Sequence, residues 1–188
     1  MTRCWGDGDP LMSDYHDTEW GRPVRSEQGL FEKVCLEAFQ AGLSWRTVLA
    51  RREGLRAAFG GFDPEACAAL AEGDLDRLLA ADGMLRNRAK ILAVGRNARA
   101  TLALRDSGGL VELIWSHAPP AAPAPATLAE VPAVTPASTV LAKALRSSGF
   151  TFVGPTTCYA LMQADGLVDD HFVSCPVRAE VEAERAAA

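Results

Sequence analysis

The chain has 188 residues, a formal net charge of −5, and 48% hydrophobic against 23% charged residues. That length and apolar fraction suffice to bury a core and exclude a disordered chain. No apolar run reaches the ~18 residues that a membrane span requires. The start, Met1-Thr2-Arg3-Cys4-Trp5, has no apolar stretch of signal-peptide type, so a soluble, cytoplasmic protein is expected. The negative total argues against a nucleic-acid partner, because proteins that grip phosphate are usually basic. Its distribution does not. Residues 46–105 carry 11 Lys/Arg and 7 Asp/Glu, a local net of +4, and the remainder nets −9. From Met84 to Arg105 stand Arg86, Arg88, Lys90, Arg96, Arg99 and Arg105 with no acid between them. Such a run is either a solvated helix face or an anion-binding surface.

Apolar residues spaced three and four apart, with few β-branched runs, predict an all-α fold. A first helix is expected over 28–40, burying Phe31, Val34, Cys35 and Ala38, with Gly42 ending it. Ser44 is the expected N-cap of a second helix through Phe59, which Gly60-Gly61 terminates. Asp63-Pro64 opens a short third helix, since Asp caps and proline suits the first helical position. Further helices are expected over 75–81, 87–104 and 110–116. Residues 118–136 hold six of the eleven prolines and predict a stiff, extended connection. Helices over 138–148 and 155–164 flank an extended Gly149–Gly154 segment, and the last dozen residues are expected to fray.

Several groups of residues bear on chemistry. Asp82-Gly83 between two helices makes a tight turn whose amides, with the next helix start, would face a phosphate flanked by Arg86 and Arg88. An ordinary αα-hairpin is the alternative. Five cysteines, an odd number without a secretion signal, exclude a disulfide framework. Cys35 and Cys67 lie on apolar helical stretches, as small core residues do. Cys4 and His16 share a Gly/Asp/Pro-rich loop, and His171 and Cys175 are spaced to share one face of a helical turn. These four would close a tetrahedral zinc site with no position left for water, a structural staple between the chain ends. The alternative is two unrelated Cys/His pairs. Glu37, among apolar neighbours, either points to water or is buried for a reason. Tyr15 and Trp20 flank His16, and rigid aromatics are what a site needs to hold a planar base.

These residues carry a resemblance. Arg3-Cys4-Trp5, Asp9-Pro10-Leu11, Tyr15-His16-Asp17-x-Glu19-Trp20-Gly21, Cys35-Leu36-Glu37-x-x-Gln40-Ala41-Gly42-Leu43-Ser44-Trp45, Phe62-Asp63-Pro64, Gly149-Phe150-x-Phe152-Val153-Gly154, Met162-Gln163-Ala164 and His171-x-x-x-Cys175 occur in order. The chain closely resembles the bacterial 3-methyladenine DNA glycosylase I family, of the helix-hairpin-helix glycosylase superfamily. The resemblance implies a helical domain over 28–116, with its hairpin near 79–90, and a zinc-stapled domain built from 1–27 and 117–188. It places Cys4, His16, His171 and Cys175 on the ligands of one structural Zn2+. It places Glu37 on the carboxylate that meets the methylated base, and Tyr15 and Trp45 on the aromatic walls of the base pocket, with Trp20 and Trp5 near it. Gly83 falls on the DNA-phosphate anchor. The order Cys4-Trp5-Gly6 differs from the family's usual Cys-Gly-Trp.

The function so implied is hydrolysis of the N-glycosidic bond of N3-methyladenine in alkylated double-stranded DNA, after the nucleotide is rotated out of the stack. Glu37 would accept from the exocyclic amino group, and Tyr15 and Trp45 would attract an electron-poor ring. Leu43, beside Gly42, is the candidate to fill the gap in the duplex. No lysine is nominated for a Schiff base, and Lys90 is read as a phosphate or surface residue, so a monofunctional, monomeric enzyme is expected. Two other classes compete: a non-catalytic zinc-containing protein that binds DNA lesions, and a metal-dependent hydrolase with an open zinc position.

Overall fold

The computed structural model describes residues 3–188. Met1 and Thr2, the first residues of the segment expected to meet the C-terminus, lie outside the described residues. The described residues form ten α-helices and no strand. They are α1 (Pro10–Thr18), α2 (Glu27–Gln40), α3 (Trp45–Ala58), α4 (Pro64–Ala68), α5 (Leu75–Ala80), α6 (Arg88–Leu104), α7 (Gly109–Trp115), α8 (Pro136–Ser147), α9 (Pro155–Ala164) and α10 (Arg178–Ala187). No helix among the described residues is long and apolar enough to cross a membrane.

Local chemistry sets most of these boundaries. Ser26, Ser44, Asp63, Asn87 and Thr135 each cap a helix by accepting from a backbone N–H in its first turn, which satisfies donors that the helix itself leaves unpaired. Proline occupies the first turn of α4, α8 and α9, where its missing N–H costs nothing.

Packing centres on α2. Leu30, Phe31, Val34, Cys35, Leu36, Ala38 and Phe39 are all buried, and so are Lys33 and Glu37 of the same helix. α2 is therefore enclosed on nearly every side, by α3, α6, α7 and α9. Phe31, Phe39, Phe59 and Phe62 form an aromatic group with ring centroids 5.4–6.4 Å apart. Burial of each such ring contributes roughly 1.5–3 kcal/mol. The same core continues into Leu141, Leu145, Phe150 and Met162, so α8 and α9 share it. Cys35, Cys67 and Cys158 are buried within it.

Three regions depart from expectation. Residues 10–18 form a helix, not a loop, capped by Asp9, whose side chain accepts from Leu11 N–H at 3.1 Å. The last dozen residues do not fray as a whole. They form α10, which buries Val181 and sends Arg185 to the carbonyls of Gly166 and Leu167 at 2.7 and 3.0 Å. Gly149–Gly154 is irregular, held by Asn97, whose side chain bonds both backbone groups of Thr151. The proline-rich connection is free of α-helix, as its composition predicts, with a single 3-10 turn at Leu128–Glu130.

Between α5 and α6 the chain turns through Ala81–Asn87, where Gly83 takes φ +76°. A Cβ there would lie 2.9 Å from Cα of Gly54 in α3, so the turn needs glycine for close packing as well as for its backbone. Gly83→Ala is expected to lower stability by about 1–3 kcal/mol, measured as a lower midpoint in urea at unchanged slope.

Candidate functional site

A cavity of about 340 Å³ opens between α1, α2, α3, α9 and the proline-rich connection. Glu37, Gln40, Tyr15 and Trp45 line it together with Trp5, Met12 and Trp20. Thr156, Tyr159, Gln163, Asp170, Leu128 and Val131–Ala133 also line it. The volume falls within the ~300–1,000 Å³ range of small-molecule sites.

Glu37 sits in α2 between apolar neighbours and is 5% exposed. Burial pushes its carboxyl up from 4.5 to about 8, opposed only by the charge of Lys33 one turn earlier. Tyr15 and Trp45 are in contact, with ring centroids 5.2 Å apart and planes tilted by 51°. A flat ligand between two rings needs about 7 Å, twice a van der Waals contact. The two therefore form one continuous wall, not two facing walls. Behind Tyr15 the Lys33 ammonium lies 4.8 Å from the ring centre. The Trp45 indole N–H is buried without a partner. Across the cavity, Asp170 accepts from the Tyr159 hydroxyl at 2.7 Å and from Gln163 at 2.8 Å. Tyr159, Gln163 and Asp170 were absent from the residues nominated on sequence. Only Met162-Gln163-Ala164, within the matched segments, pointed toward them.

Trp5 and Trp20 connect this cavity to the cysteine–histidine group. Trp5 meets the His16 ring edge-on at 4.8 Å and Trp20 at 5.1 Å, and Trp20 lies 4.5 Å from the His171 ring. Ligand atoms of Cys4, His16 and Cys175 lie within 4.8 Å of one another. His171 stands beside them, its ring centre 4.9 Å from that of His16. Asp17 engages Nδ1 of His16 at 2.8 Å, and Asp169 engages Nδ1 of His171 at 2.7 Å. This pattern fixes the tautomer and directs Nε2 inward, as second partners of metal-bound histidines do. Nε2 of His171 is buried with no hydrogen-bond partner. Two thiols and the His16 imidazole, with the orphaned Nε2 of His171 beside them but outside that close group, are a donor set that suits a tetrahedral Zn2+. His171 and Cys175 do not share a helical face as their spacing predicts, because that segment is a series of turns. Cys175 N–H bonds to Phe172 O, and Phe172 N–H reaches Cys4 Sγ at 3.0 Å.

The basic face is smaller than the sequence count implies. Arg46 pairs with Asp9, Arg52 with Glu19, Arg56 with Glu32, Arg77 with Asp74, and Arg105 with Glu27 and Glu65. Arg86, Arg88 and Arg96 remain exposed around the turn and along α6. Leu43 is 43% exposed at the tip of the α2–α3 turn, where Gly42 takes φ +80°. Lys90 is neither a surface residue nor free for phosphate. It is 6% exposed, and its ammonium donates to Phe39 O at 2.9 Å and to Ala41 O. It thus caps the C-terminal carbonyls of α2 from α6, where the helix dipole favours a cation.

Among the described residues, fold and cavity define an all-helical protein with an aromatic, carboxyl-bearing pocket. A family model for methyladenine glycosylase matches residues 5–179. DNA-3-methyladenine glycosylase 1 of Escherichia coli is 50% identical over 180 residues, 93% of this chain and 96% of its own length. A crystal structure of 3-methyladenine DNA glycosylase I superimposes with a TM-score of 0.89 at 49% identity, over 93% of this chain and 98% of that one. A structure of the Staphylococcus aureus protein, described for its 3-methyladenine recognition, gives 0.89 at 32% identity, over 93% and 95%. The chain belongs to the methyladenine glycosylase family.

Lys90→Met is expected to remove two charge-assisted bonds and leave carbonyls of α2 unpaired, lowering stability by about 2–3 kcal/mol. Hydrogen exchange should speed up first at the amides of residues 41–44.

Proposed function

We propose that this chain hydrolyses the N-glycosidic bond of N3-methyladenine in alkylated duplex DNA, acting as a monofunctional, monomeric glycosylase in the cytoplasm. The observation that carries this reading is the Glu37 carboxyl, buried where an aromatic cavity of about 340 Å³ meets α2. The cavity is far narrower than a duplex, so the nucleotide must leave the stack to enter it, at a cost of a few kcal/mol. The adjoining Tyr15 and Trp45 rings receive the flat, electron-poor base on one shared wall, and Glu37 accepts from its exocyclic amino group. Methylation at N3 leaves the base positively charged and weakens its bond to the sugar. Differential binding of that charge then distinguishes it from adenine.

The helix-hairpin-helix reading assigns the turn at Gly83, with Arg86, Arg88 and the start of α6, to backbone phosphates, and Leu43 to the gap left in the duplex. Exposure of Arg86, Arg88 and Leu43 on the described surface supports this. The proposed division assigns Glu37 and Trp45 to 28–116 and Tyr15, Trp20 and Gln163 to 1–27 plus 117–188, so both parts contribute to the cavity. Cys4, His16, His171 and Cys175 are the proposed holders of one Zn2+, which would supply a tetrahedral cross-link between the chain ends and no open coordination position. Trp5 and Trp20, packed on the two histidines, transmit the order of that cluster to the cavity.

Incubating alkylated DNA with the protein and weighing the released bases tests the main reading. Release of 3-methyladenine, falling about 10- to 100-fold in Glu37→Gln, is expected. Tight binding of lesion DNA with no base released would instead favour the non-catalytic binder. For the metal, the expected content is one zinc per chain by mass spectrometry under native conditions. Cys175→Ala should lose it and expose residues 3–20 to protease, whereas unchanged metal content would remove Cys175 from the ligand set.

A further inference from the structure

Among the described residues two that are not glycine take a positive φ, Phe62 at +56° and Phe152 at +59°. Such a backbone is strained for a bulky residue and persists only where its surroundings impose it. For Phe62 the reason is burial, since its ring is fully enclosed against Phe31 and Phe59. Phe152 has no such reason, because it is 40% exposed. Its neighbours in the chain hold it there. Phe150 and Val153 are buried. The fully buried Asn97 of α6 accepts from the Thr151 N–H at 2.8 Å and from the Thr151 hydroxyl at 3.3 Å, and donates to the Thr151 carbonyl at 3.3 Å. Buried groups thus fix an apolar ring at the surface against its own backbone preference.

The ring stands next to groups that bear on DNA under the proposed function. With Thr151 it lines a surface cavity of about 380 Å³, whose other wall is Ala89, Leu92 and Arg96 of α6. Ala89 follows directly on Arg88, at the helix start assigned to backbone phosphate. Four residues beyond Phe152, Thr156 lines the base cavity. The lining of the smaller cavity holds a cation and no acid. Arg96 is exposed and pairs with no carboxylate among the described residues, although Glu72 lines the cavity on its other side. A lone exposed ring is ordinary, but one held out under strain beside an unpaired guanidinium is not. A purely apolar partner would cover Arg96 without answering its charge. A strand of DNA answers both groups, with phosphate for the guanidinium and the apolar face of a deoxyribose for the ring.

We infer that Phe152 and Arg96 form a further DNA contact, in which the ring packs against a deoxyribose and the guanidinium meets an adjoining phosphate of the strand held at the start of α6. The inference rests on the DNA-repair reading above and extends its interface beyond the turn at Gly83 and Leu43. Because Asn97 holds the segment in place before DNA arrives, little freedom is lost on binding. Contacts to sugar and phosphate position a strand without reading its sequence, so undamaged and alkylated duplexes engage the pair alike. The strain at residue 152 belongs to the free protein as well as to the complex. Glycine there relaxes the backbone and removes the contact in one step, which separates the needs of the fold from those of binding.

Fluorescence anisotropy of the intact protein with a labelled, undamaged duplex over a series of salt concentrations tests this. Phe152→Gly is expected to bind about fivefold more weakly, with the salt slope unchanged because no charge is removed. Arg96→Gln should lower that slope by about 0.9. The urea midpoint of Phe152→Gly should not fall, since glycine adopts the backbone freely. Phe152→Asn, which also tolerates it, is the second variant and should lose the same affinity. Free 3-methyladenine should bind all three variants as it binds the wild type. Wild-type duplex affinity in both Phe152 variants, or an unchanged slope in Arg96→Gln, would overturn the inference while leaving the base pocket intact. Failure of the wild type to bind duplex at all would overturn the DNA reading and this inference with it.

Discussion

A helix enclosed on nearly every side cannot carry an idle charge. α2 runs through the centre of the protein with seven apolar side chains packed around it, and among them it carries Lys33 and Glu37. Isolated ions at those positions would be prohibitive in a low-dielectric interior. Each must therefore be answered by another group or be held neutral, and the answering groups come from elsewhere in the chain. Glu19, which follows α1, meets Lys33, and Arg52 of α3 meets Glu19. The site is assembled where these elements meet the polar side of α2. Fold and pocket are in this sense one problem, because the elements that enclose α2 also bring the groups its charged residues require.

The same principle governs the surface. Five arginines of the basic stretch are paired with carboxylates, and Asp9, Glu19, Glu27 and Glu32 among their partners lie outside it. The acidic remainder is thus in part the counter-charge of the basic window, brought to it by folding. What is left exposed is a small set of arginines near the turn at Gly83 and along α6. Under the proposed function, so few free charges would hold the duplex weakly and with only a modest dependence on salt. Recognition then rests on the pocket more than on a grip along the backbone.

Much of the helical frame was legible in the sequence because caps and breakers act locally. Ser44 and Asp63 each mark a start that a short window reveals. The α1 helix was missed although Asp9-Pro10 carries the same signal as Asp63-Pro64, because the glycines around it were weighed as loop. α10 was missed for a different reason. Its Ala/Glu composition is that of a frayed end, and its order comes from Val181 and from Arg185 bonding to carbonyls some twenty residues earlier. Lys90 and Asp165 mark the limit for the site. Nothing within a few residues of either says that its side chain turns inward, since the carbonyls that capture Lys90 lie about fifty residues away. Glu37, Tyr15 and Trp45 line one cavity, but their spacing in the sequence cannot tell a shared wall from two facing ones.

Arg22, just after α1, is tied to Glu180 and Glu184 of α10, and Phe172 N–H rests on the sulfur of Cys4. These contacts span about 160 residues. During synthesis the chain emerges from its N-terminus at about 5–20 residues per second, so α1 waits many seconds before its partners exist. Tyr15 can meet Lys33 and Trp45 as soon as α2 and α3 exist, but Trp20 lacks its His171 neighbour throughout that interval. A nascent or prematurely terminated chain therefore presents the arginines beside Gly83 without a completed cavity. The cavity, lined by residues as late as Asp170 and Phe172, is incomplete until α9 and the turns after it have been made.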